Sequence, residues 1–293
     1  MEDLQVSSEA SPTFVLTLTC PDKPGIVRAV SGFIADAGGN ILESAQFGDI
    51  DTGLFCMRIS FSLDNSSVDL QALSGMFSEI SDRYAMHWTL HDARRPARVL
   101  IMVSRFDHCL ADILYRQRIG ELNIEIPAVV SNHRDTYQLV ASHNIPFHYL
   151  PVTPDSKGEQ EAKLVELIES ENIDFVVLAR YMQILSAELC ETLRGRVINI
   201  HHSFLPGFKG ARPYHQAHSR GVKLIGATAH YATSDLDEGP IIEQDVVRVT
   251  HAQTPDQLVS LGREVEMRVL SRAVRLQAEH RIILNHDKTV VFA

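Results

Sequence analysis

The first third of the chain combines short stretches of strand-like and helix-like apolar periodicity. Between residues 14 and 91 these stretches follow in the order strand, helix, strand, strand, helix, strand. Gly38 and Gly39 follow the first helical stretch, at the position where a glycine commonly ends a helix. The βαββαβ order predicts a ferredoxin-like α+β domain, which we place at residues 13–92.

After the polar joint Asp92–Pro96 the pattern changes to near-continuous apolar runs. The runs are residues 99–103, 126–130, 175–178, 197–200, 224–231 and 241–249. Helical segments such as 158–170 separate several of them, which is typical of a parallel sheet covered on both faces. A capping box at Thr254–Gln257 begins a long amphipathic helix. We therefore predict a second, doubly wound domain with a mostly parallel sheet at residues 97–293, and an α/β chain overall.

Charge and composition argue against several classes of function. The net charge is −10, and residues 1–93 carry 13 acidic against 4 basic side chains, whereas the remainder carries 24 against 23. A nearly neutral second domain argues against nucleic acid as a partner, because phosphate binding leaves a basic surface. The sequence has no apolar stretch near the roughly 18 residues that a membrane span requires, and the acidic Met1–Asp3 start does not resemble a secretory signal. With four scattered cysteines and no CxxC pair, we expect a cytoplasmic protein with reduced thiols.

The most distinctive chemistry begins at Asn199, where an apolar strand enters a loop rich in proline and glycine. Ligands of open α/β sheets bind beyond the carboxyl ends of the strands. Asn199 and His201 should point to one side of an extended strand, and His202 to the other. Asp237 lies in a second polar loop between two predicted strands. A carboxylate beside His201 would fix its tautomer and raise its pKa, while an asparagine can donate to a developing oxyanion.

This combination of residues suits addition to a carbonyl group, with proton transfer by Asp237. The alternative is a packed core histidine and an ordinary turn aspartate. We predict no metal site, because HExxH is absent and the one HxxxH pair, His87 and His91, flanks a predicted strand. Cys109 is expected to be a packing residue rather than a nucleophile, since a lone cysteine usually is.

Three separated segments resemble the folate-dependent formyltransferases over about residues 97–285. They are Asn199-Ile-His201 with Ser203-Phe-Leu-Pro206, then Asp237-Glu-Gly239, and Leu178-Ala-Arg-Tyr-Met-Gln-Ile-Leu-Ser186. The resemblance implies a formyltransferase-like catalytic domain with Asn199, His201 and Asp237 as catalytic residues. The substrate-binding residues that it implies are Arg180, Met182, Gln183, Leu185 and Gly239.

The N-terminal domain resembles an ACT domain, a regulatory module that commonly binds small amino acids. The residues that this resemblance assigns to an effector are Asp22, Pro24, Gly25, Ile26, Asn40 and Ile41. It implies glycine or methionine as the first effectors to test, and a homo-oligomer formed through ACT domains. The alternative is that Gly25 only turns the chain and Pro24 starts the helix.

An ACT domain fused to a formyltransferase-like domain is similar to the formyltetrahydrofolate deformylase family. That family hydrolyses 10-formyltetrahydrofolate to formate and tetrahydrofolate, in one-carbon metabolism linked to purine biosynthesis. The resemblance therefore implies a folate as substrate, water as the second substrate, and no separate cofactor.

The loop after the first strand of the second domain bears on the choice between hydrolase and transferase. A transferase acting on a phosphorylated amine holds the phosphate in a glycine-rich turn. Here the loop is Ser104–Cys109, which contains no glycine and carries Asp107. We expect a small uncharged second substrate, and water fits. Two alternatives remain open: a formyltransferase with a non-phosphorylated amine acceptor such as an amino sugar, and a non-catalytic sensor of folate or amino acids.

Overall fold

The computed structural model describes residues 12–63, 70–207 and 213–293. The chain forms two compact units. One unit ends at Arg95 and takes in Phe292–Ala293, and the other comprises Pro96–Val291. The predicted α/β class is confirmed, and each unit is described separately below.

The first unit is a four-stranded antiparallel sheet with two helices. Its elements are β1 (Thr13–Pro21), α1 (Ile26–Asp36), β2 (Gly39–Asp49), β3 (Leu54–Leu63), α2 (Leu70–Tyr84) and β4 (His87–Asp92). The strands lie in the order β2-β3-β1-β4, with antiparallel pairing throughout. This is the predicted ferredoxin-like arrangement.

Aromatic contacts join the two helices of the first unit to each other and to its sheet. The rings of Phe33 and Phe77 lie 5.0 Å apart, and those of Phe77 and Trp88 lie 4.9 Å apart, both edge to face. Such pairs add to the stabilisation that burial alone provides. Gly25 and Gly38 both have positive φ, at 96° and 74°, so a residue without a Cβ suits each end of α1.

The second unit is built on a seven-stranded sheet. Its elements are β5 (Ala97–Val103), α3 (His108–Arg118), β6 (Ile124–Ser131), α4 (Tyr137–Ala141), β7 (Phe147–Tyr149), α5 (Lys157–Ser170), β8 (Phe175–Leu178), α6 (Ala187–Thr192), β9 (Val197–His201), α7 (Pro213–Ser219), β10 (Leu224–Tyr231), β11 (Ile241–Arg248), α8 (Pro255–Ala278), β12 (Ile282–Asn285) and β13 (Lys288–Val291). The sheet order is β11-β10-β9-β8-β5-β6-β7. The five strands β5 to β9 are parallel, and β10 pairs antiparallel with both of its neighbours, β9 and β11, which confirms the mostly parallel sheet.

Both faces of this sheet are buried. In β5, Val99 and Ile101 belong to one apolar cluster, whereas Leu100 and Met102 belong to another on the opposite face. Period-2 alternation thus supplies two cores from one continuous apolar run. The predicted capping box of α8 is confirmed, because the side chain of Thr254 accepts a hydrogen bond from the Gln257 amide, and the reciprocal bond is also made.

The described part of the chain contains no helix that is both long enough and apolar enough to cross a membrane.

Candidate active site

The site forms where β9 ends between β8 and β10. β9 runs parallel to β8 and antiparallel to β10, with Asn199 opposite His230 and His201 opposite Thr228. Residues directly opposite each other in an antiparallel pair share a face, as do residues two apart in one strand. The strand geometry therefore brings the side chains of Asn199, His201 and His230 to the same side of the sheet.

A buried ion pair joins the two predicted loops. Nδ1 of His201 lies 3.0 Å from Oδ1 of Asp237, and the two side chains are only 5% and 11% exposed. Nε2 of His201 lies 2.9 Å from Oγ of Ser203. The Ser203 hydroxyl donates to the Gly207 carbonyl at 2.7 Å, so it can only accept from His201. Both ring nitrogens thus lie within hydrogen-bond distance of an oxygen, so Asp237 and Ser203 together fix the orientation of the His201 ring.

The pKa of Asp237 lies below its ordinary value. Burial alone would raise this pKa, but the hydrogen bond and charge of His201 outweigh burial, with smaller contributions from His230 and His202. The carboxylate is therefore the favoured form at neutral pH. Since Oδ1 is engaged by His201, Oδ2 is the oxygen left for a substrate or water.

Close packing fixes the loop that carries Asp237. A Cβ at Gly239 would lie 1.8 Å from the carbonyl oxygen of Tyr231, so only glycine permits this approach. The Tyr231 amide donates to the Pro240 carbonyl at 2.9 Å. Asp237 itself has φ of 60°, an uncommon conformation for a residue with a side chain. The loop is thus held in one position beside His201.

His230 sets the orientation of Asn199. Its Nδ1 donates to the Tyr231 carbonyl at 2.9 Å, so its Nε2 carries a lone pair. Nδ2 of Asn199 donates to that nitrogen at 3.1 Å. The second N–H of the Asn199 amide remains available to a ligand oxygen. Burial lowers the pKa of His230, which keeps the ring neutral.

The side chains of Thr228 and Gln244 fix the loop after His201 through hydrogen bonds. The hydroxyl of Thr228 donates to the Ser203 carbonyl at 2.9 Å and accepts from the Leu205 amide at 3.0 Å. The Gln244 amide donates to the same hydroxyl at 3.0 Å and to the Leu205 carbonyl at 3.1 Å. These bonds hold the Ser203 acceptor in place under His201.

A cavity of about 550 Å³ opens over these residues. It is lined by Asn199, His201 and Asp237 together with four of the predicted substrate residues, Arg180, Met182, Gln183 and Leu185. Gly239 does not line the cavity. Its close approach to the Tyr231 carbonyl explains why this position requires a glycine. Sequence reasoning missed several side chains of the wall, among them Tyr214 of α7 and Val259 of α8.

Ser104 anchors the segment that lines the cavity. Its hydroxyl accepts from the Met182 amide at 2.9 Å and donates to Asn132 at 2.7 Å. Its own amide donates to the Arg180 carbonyl at 3.3 Å. The first residue of the glycine-free loop therefore fixes the wall of the cavity.

The expected direction of His202 was wrong. Its ring stacks on that of His201, with centroids 5.0 Å apart and planes 23° apart, and it lines the same cavity. β9 ends at His201, so strand alternation no longer governs the next side chain. Burial, followed by the nearby charges of Arg180 and His201, lowers the pKa of His202 to about 4. The ring is therefore neutral at physiological pH.

The side of the cavity near α3 contains a buried ion-pair network. The donor atoms of His108, Cys109 and Glu266 lie within 4.8 Å of one another. However, the Glu266 carboxylate already contacts His108 at 2.8 Å, Tyr214 at 2.7 Å and Arg180 at 3.5 Å. Burial raises the pKa of the Cys109 thiol well above its ordinary value. The set suits an ion-pair network better than a metal, which would compete with the Arg180 cation.

The residues proposed for an effector fall into two groups at opposite ends of the sheet of the first unit. Asp22, Pro24 and Gly25 precede α1, whereas Asn40 and Ile41 begin β2 after it. α1 has 11 residues, which corresponds to about 16 Å at 1.5 Å per residue. The structure therefore does not bring the two groups together within one chain. Ile26 is 2% exposed and belongs to the core of this unit.

Comparison with known proteins first defines the class. The Formyl transferase family matches residues 97–274, and the ACT domain matches residues 14–69. The phosphoribosylglycinamide formyltransferase of Coxiella burnetii superposes with a TM-score of 0.63 at 30% identity, over 67% of this chain and 93% of that one. The chain is thus a formyl transferase-type enzyme with an ACT domain.

Closer relatives define the family. Formyltetrahydrofolate deformylase of Corynebacterium sp. (strain P-1) is 50% identical over 94% of this chain and 97% of that protein. The enzyme of that name from Synechocystis sp. (strain ATCC 27184 / PCC 6803 / Kazusa) is 48% identical over 96% of this chain and 99% of that one. The crystal structure of the Burkholderia mallei deformylase has a TM-score of 0.92 at 50% identity, covering 96% and 100% of the two chains. The chain belongs to the formyltetrahydrofolate deformylase family.

Proposed function

We propose that this chain hydrolyses 10-formyltetrahydrofolate to formate and tetrahydrofolate in the cavity above β9. The carrying observation is the buried His201–Asp237 pair, 3.0 Å apart, beside an Asn199 amide with a free N–H. These groups meet the needs of attack on a formyl carbon: a base, an acid and oxyanion donors. The membership of the deformylase family supports the choice of substrate.

Each side chain takes a role that its hydrogen bonds allow. Oδ2 of Asp237 positions and deprotonates the attacking water, directly or through His201. Two groups donate to the oxyanion: the free N–H of Asn199 and the Nε2–H of His201. In the resting site Ser203 accepts the hydrogen bond from Nε2 of His201. His201 then helps to protonate N10 as the C–N bond breaks. An oxyanion donor of this kind contributes roughly 100- to 1,000-fold in turnover.

The loop at Phe106 supports water rather than an amine as acceptor. Phe106 reaches the cavity wall, with the guanidinium groups of Arg180 and Arg263 at 5.7 and 5.6 Å from its ring centroid. A bulky side chain held at this position narrows the space for an amine of nucleotide size. Water needs no such space, because attack requires only that the reacting atoms be held about 3–3.5 Å apart.

Product analysis without any amine tests the proposal. Purified enzyme and 10-formyltetrahydrofolate should give formate and tetrahydrofolate in equal amounts. Negligible release that is restored by a particular amine, with formylation of that amine, would identify a transferase. Tight folate binding with no turnover under either condition would identify a sensor.

We also infer an amino-acid effector and a homo-oligomer formed through the ACT domains. Since the Asp22–Gly25 and Asn40–Ile41 groups are about a helix length apart in one chain, a small ligand that contacts both requires two copies. Calorimetry with glycine and methionine, paired with sedimentation at the same concentrations, tests this. Binding that persists in a monomer would contradict the shared site, and no heat with any common amino acid would remove the effector.

A further inference from the structure

Arg180 is held in the cavity wall at a cost that packing alone does not explain. Its φ is 63°, a left-handed conformation that costs free energy for a residue with a Cβ. Its side chain is 11% exposed, and its buried Nε and Nη1 groups make no hydrogen bond to any described residue. Buried donors without acceptors are rare in native structures and call for an explanation.

A buried carboxylate fixes the position of the guanidinium. Glu266 is 1% exposed, and its Oε2 lies 3.5 Å from Nε of Arg180. Tyr214 and His108 hold the same carboxylate at 2.7 and 2.8 Å. A Cβ at Gly262 would lie 2.4 Å from the Tyr214 hydroxyl, so the glycine one turn before Glu266 makes room for that contact. Arg180 is thus held by charge, while part of its hydrogen-bonding capacity stays unused.

His202 adds a neutral donor on the same side of the cavity. Its ring stacks 5.0 Å from His201 and lies 6.4 Å from the ring of Tyr214. No described residue forms a hydrogen bond with its ring nitrogens. The charged or titratable groups that act on it are Arg180, His201, Glu266 and Asp237. The neutral ring offers one N–H to a ligand next to the catalytic histidine.

We propose that Arg180 and His202 form a carboxylate-binding subsite that receives the formate produced at His201 and Asp237. A guanidinium and an N–H donor match a small planar carboxylate. The inference rests on the proposed hydrolysis. In that reaction the water oxygen bonds to the formyl carbon, the C–N10 bond breaks, and N10 takes a proton. One further proton leaves the formic acid, so the products are tetrahydrofolate, formate and H⁺.

Formate binding to the resting enzyme tests the subsite without turnover. Titration of ¹³C-formate, followed by saturation transfer and line broadening, gives its dissociation constant for each variant. Arg180→Gln should weaken binding about 10-fold or more, as expected for loss of a charge-assisted hydrogen bond. Arg180→Lys and His202→Asn should each give a smaller loss. The matched control is Arg263→Gln, which removes another arginine from the Phe106 ring but lies outside the cavity lining.

A second variant protects the test against misfolding. Arg180→Gln leaves Glu266 buried without its cation, which can destabilise the fold. The double variant Arg180→Gln/Glu266→Gln removes both charges and should show the same loss of formate binding. Equal formate affinity in the wild type and in the folded Arg180 variants would overturn the proposal. If the wild-type enzyme still released formate at its normal rate, the proposed hydrolysis would remain supported although the subsite had failed. The two failures are therefore distinguishable.

The substrate's glutamate tail is the other possible source of a carboxylate. Comparison of 10-formyltetrahydrofolate with 10-formyltetrahydropteroate, which lacks the glutamate, separates the two. Formate as the ligand predicts that Arg180→Gln changes KM equally for both substrates. A rise in KM confined to the glutamate-bearing substrate, with formate binding unchanged, would assign Arg180 to the tail and refute the subsite.

Discussion

Asp237→Asn removes the charge beside His201 while keeping a side chain of the same shape. Two unit charges 3.0 Å apart attract by about 5.5 kcal/mol at an effective dielectric constant of about 20. This energy is an upper bound on the transition-state stabilisation that the substitution removes. That bound corresponds to about 10⁴-fold in rate, and loss of a positioned base alone typically costs 10²- to 10⁴-fold. We expect kcat for formate release to fall roughly 10²- to 10⁴-fold, with KM within a few-fold of wild type because the 182–185 wall is unchanged.

The matched control for this prediction is Asp235→Asn. Asp235 lies in the same loop, at the exposed rim of the cavity, and its side chain makes no ion pair among the residues that the structure describes. Its substitution should leave kcat near the wild-type value. Steady-state formate release at saturating folate measures both variants. If Asp237→Asn kept kcat within 10-fold of wild type, or if Asp235→Asn lost as much, the role assigned to the His201–Asp237 pair would be wrong.

Three further predictions follow from the packing and charge of the site. Gly239→Ala places a methyl group 1.8 Å from a β10 carbonyl, so Tm and kcat should both fall, as calorimetry and turnover will show. The lowered pKa of Asp237 contributes stability that is present above the unfolded value of about 3.9 and is lost as pH falls through the folded pKa. In urea unfolding from pH 6 to 3, wild type should therefore lose more stability than Asp237→Asn, in which the other carboxyl groups with lowered pKa values still titrate. Gly262→Ala should lower Tm because the added methyl group displaces Tyr214. Its control is Gly75→Ala in α2, where a methyl group meets open space and should raise stability by about 0.5–1 kcal/mol. Equal effects of the two substitutions would contradict the packing argument.

Local periodicity was enough to predict every element of the first unit and the long strands of the second. It failed for elements too short to complete a period. β7 has 3 residues and α4 has 5, so neither provides a repeating pattern. The β12–β13 hairpin turns at His286, which has φ of 55°, rather than at the Asn-Gly or Asp-Gly pair that marks such turns in sequence.

The site was predictable where it lies on a strand and unpredictable where it depends on distant elements. Asn199 and His201 share a face because both lie in β9, whereas His202 lies just beyond it. Glu266 was missed because a charged residue on a long helix usually faces solvent. Its partners come from α3, α7 and the loop after β8, and only the folded chain brings them together.

The most direct test of the central claim is hydrolysis in H₂¹⁸O with no amine present. If water attacks the formyl carbon, each formate must carry one ¹⁸O atom from solvent, and formate and tetrahydrofolate must be released in equal amounts. His201→Ala must abolish the labelled formate. The account would be contradicted if 10-formyltetrahydrofolate were consumed rapidly only when an amine is added, and if the product were the N-formylated amine without ¹⁸O.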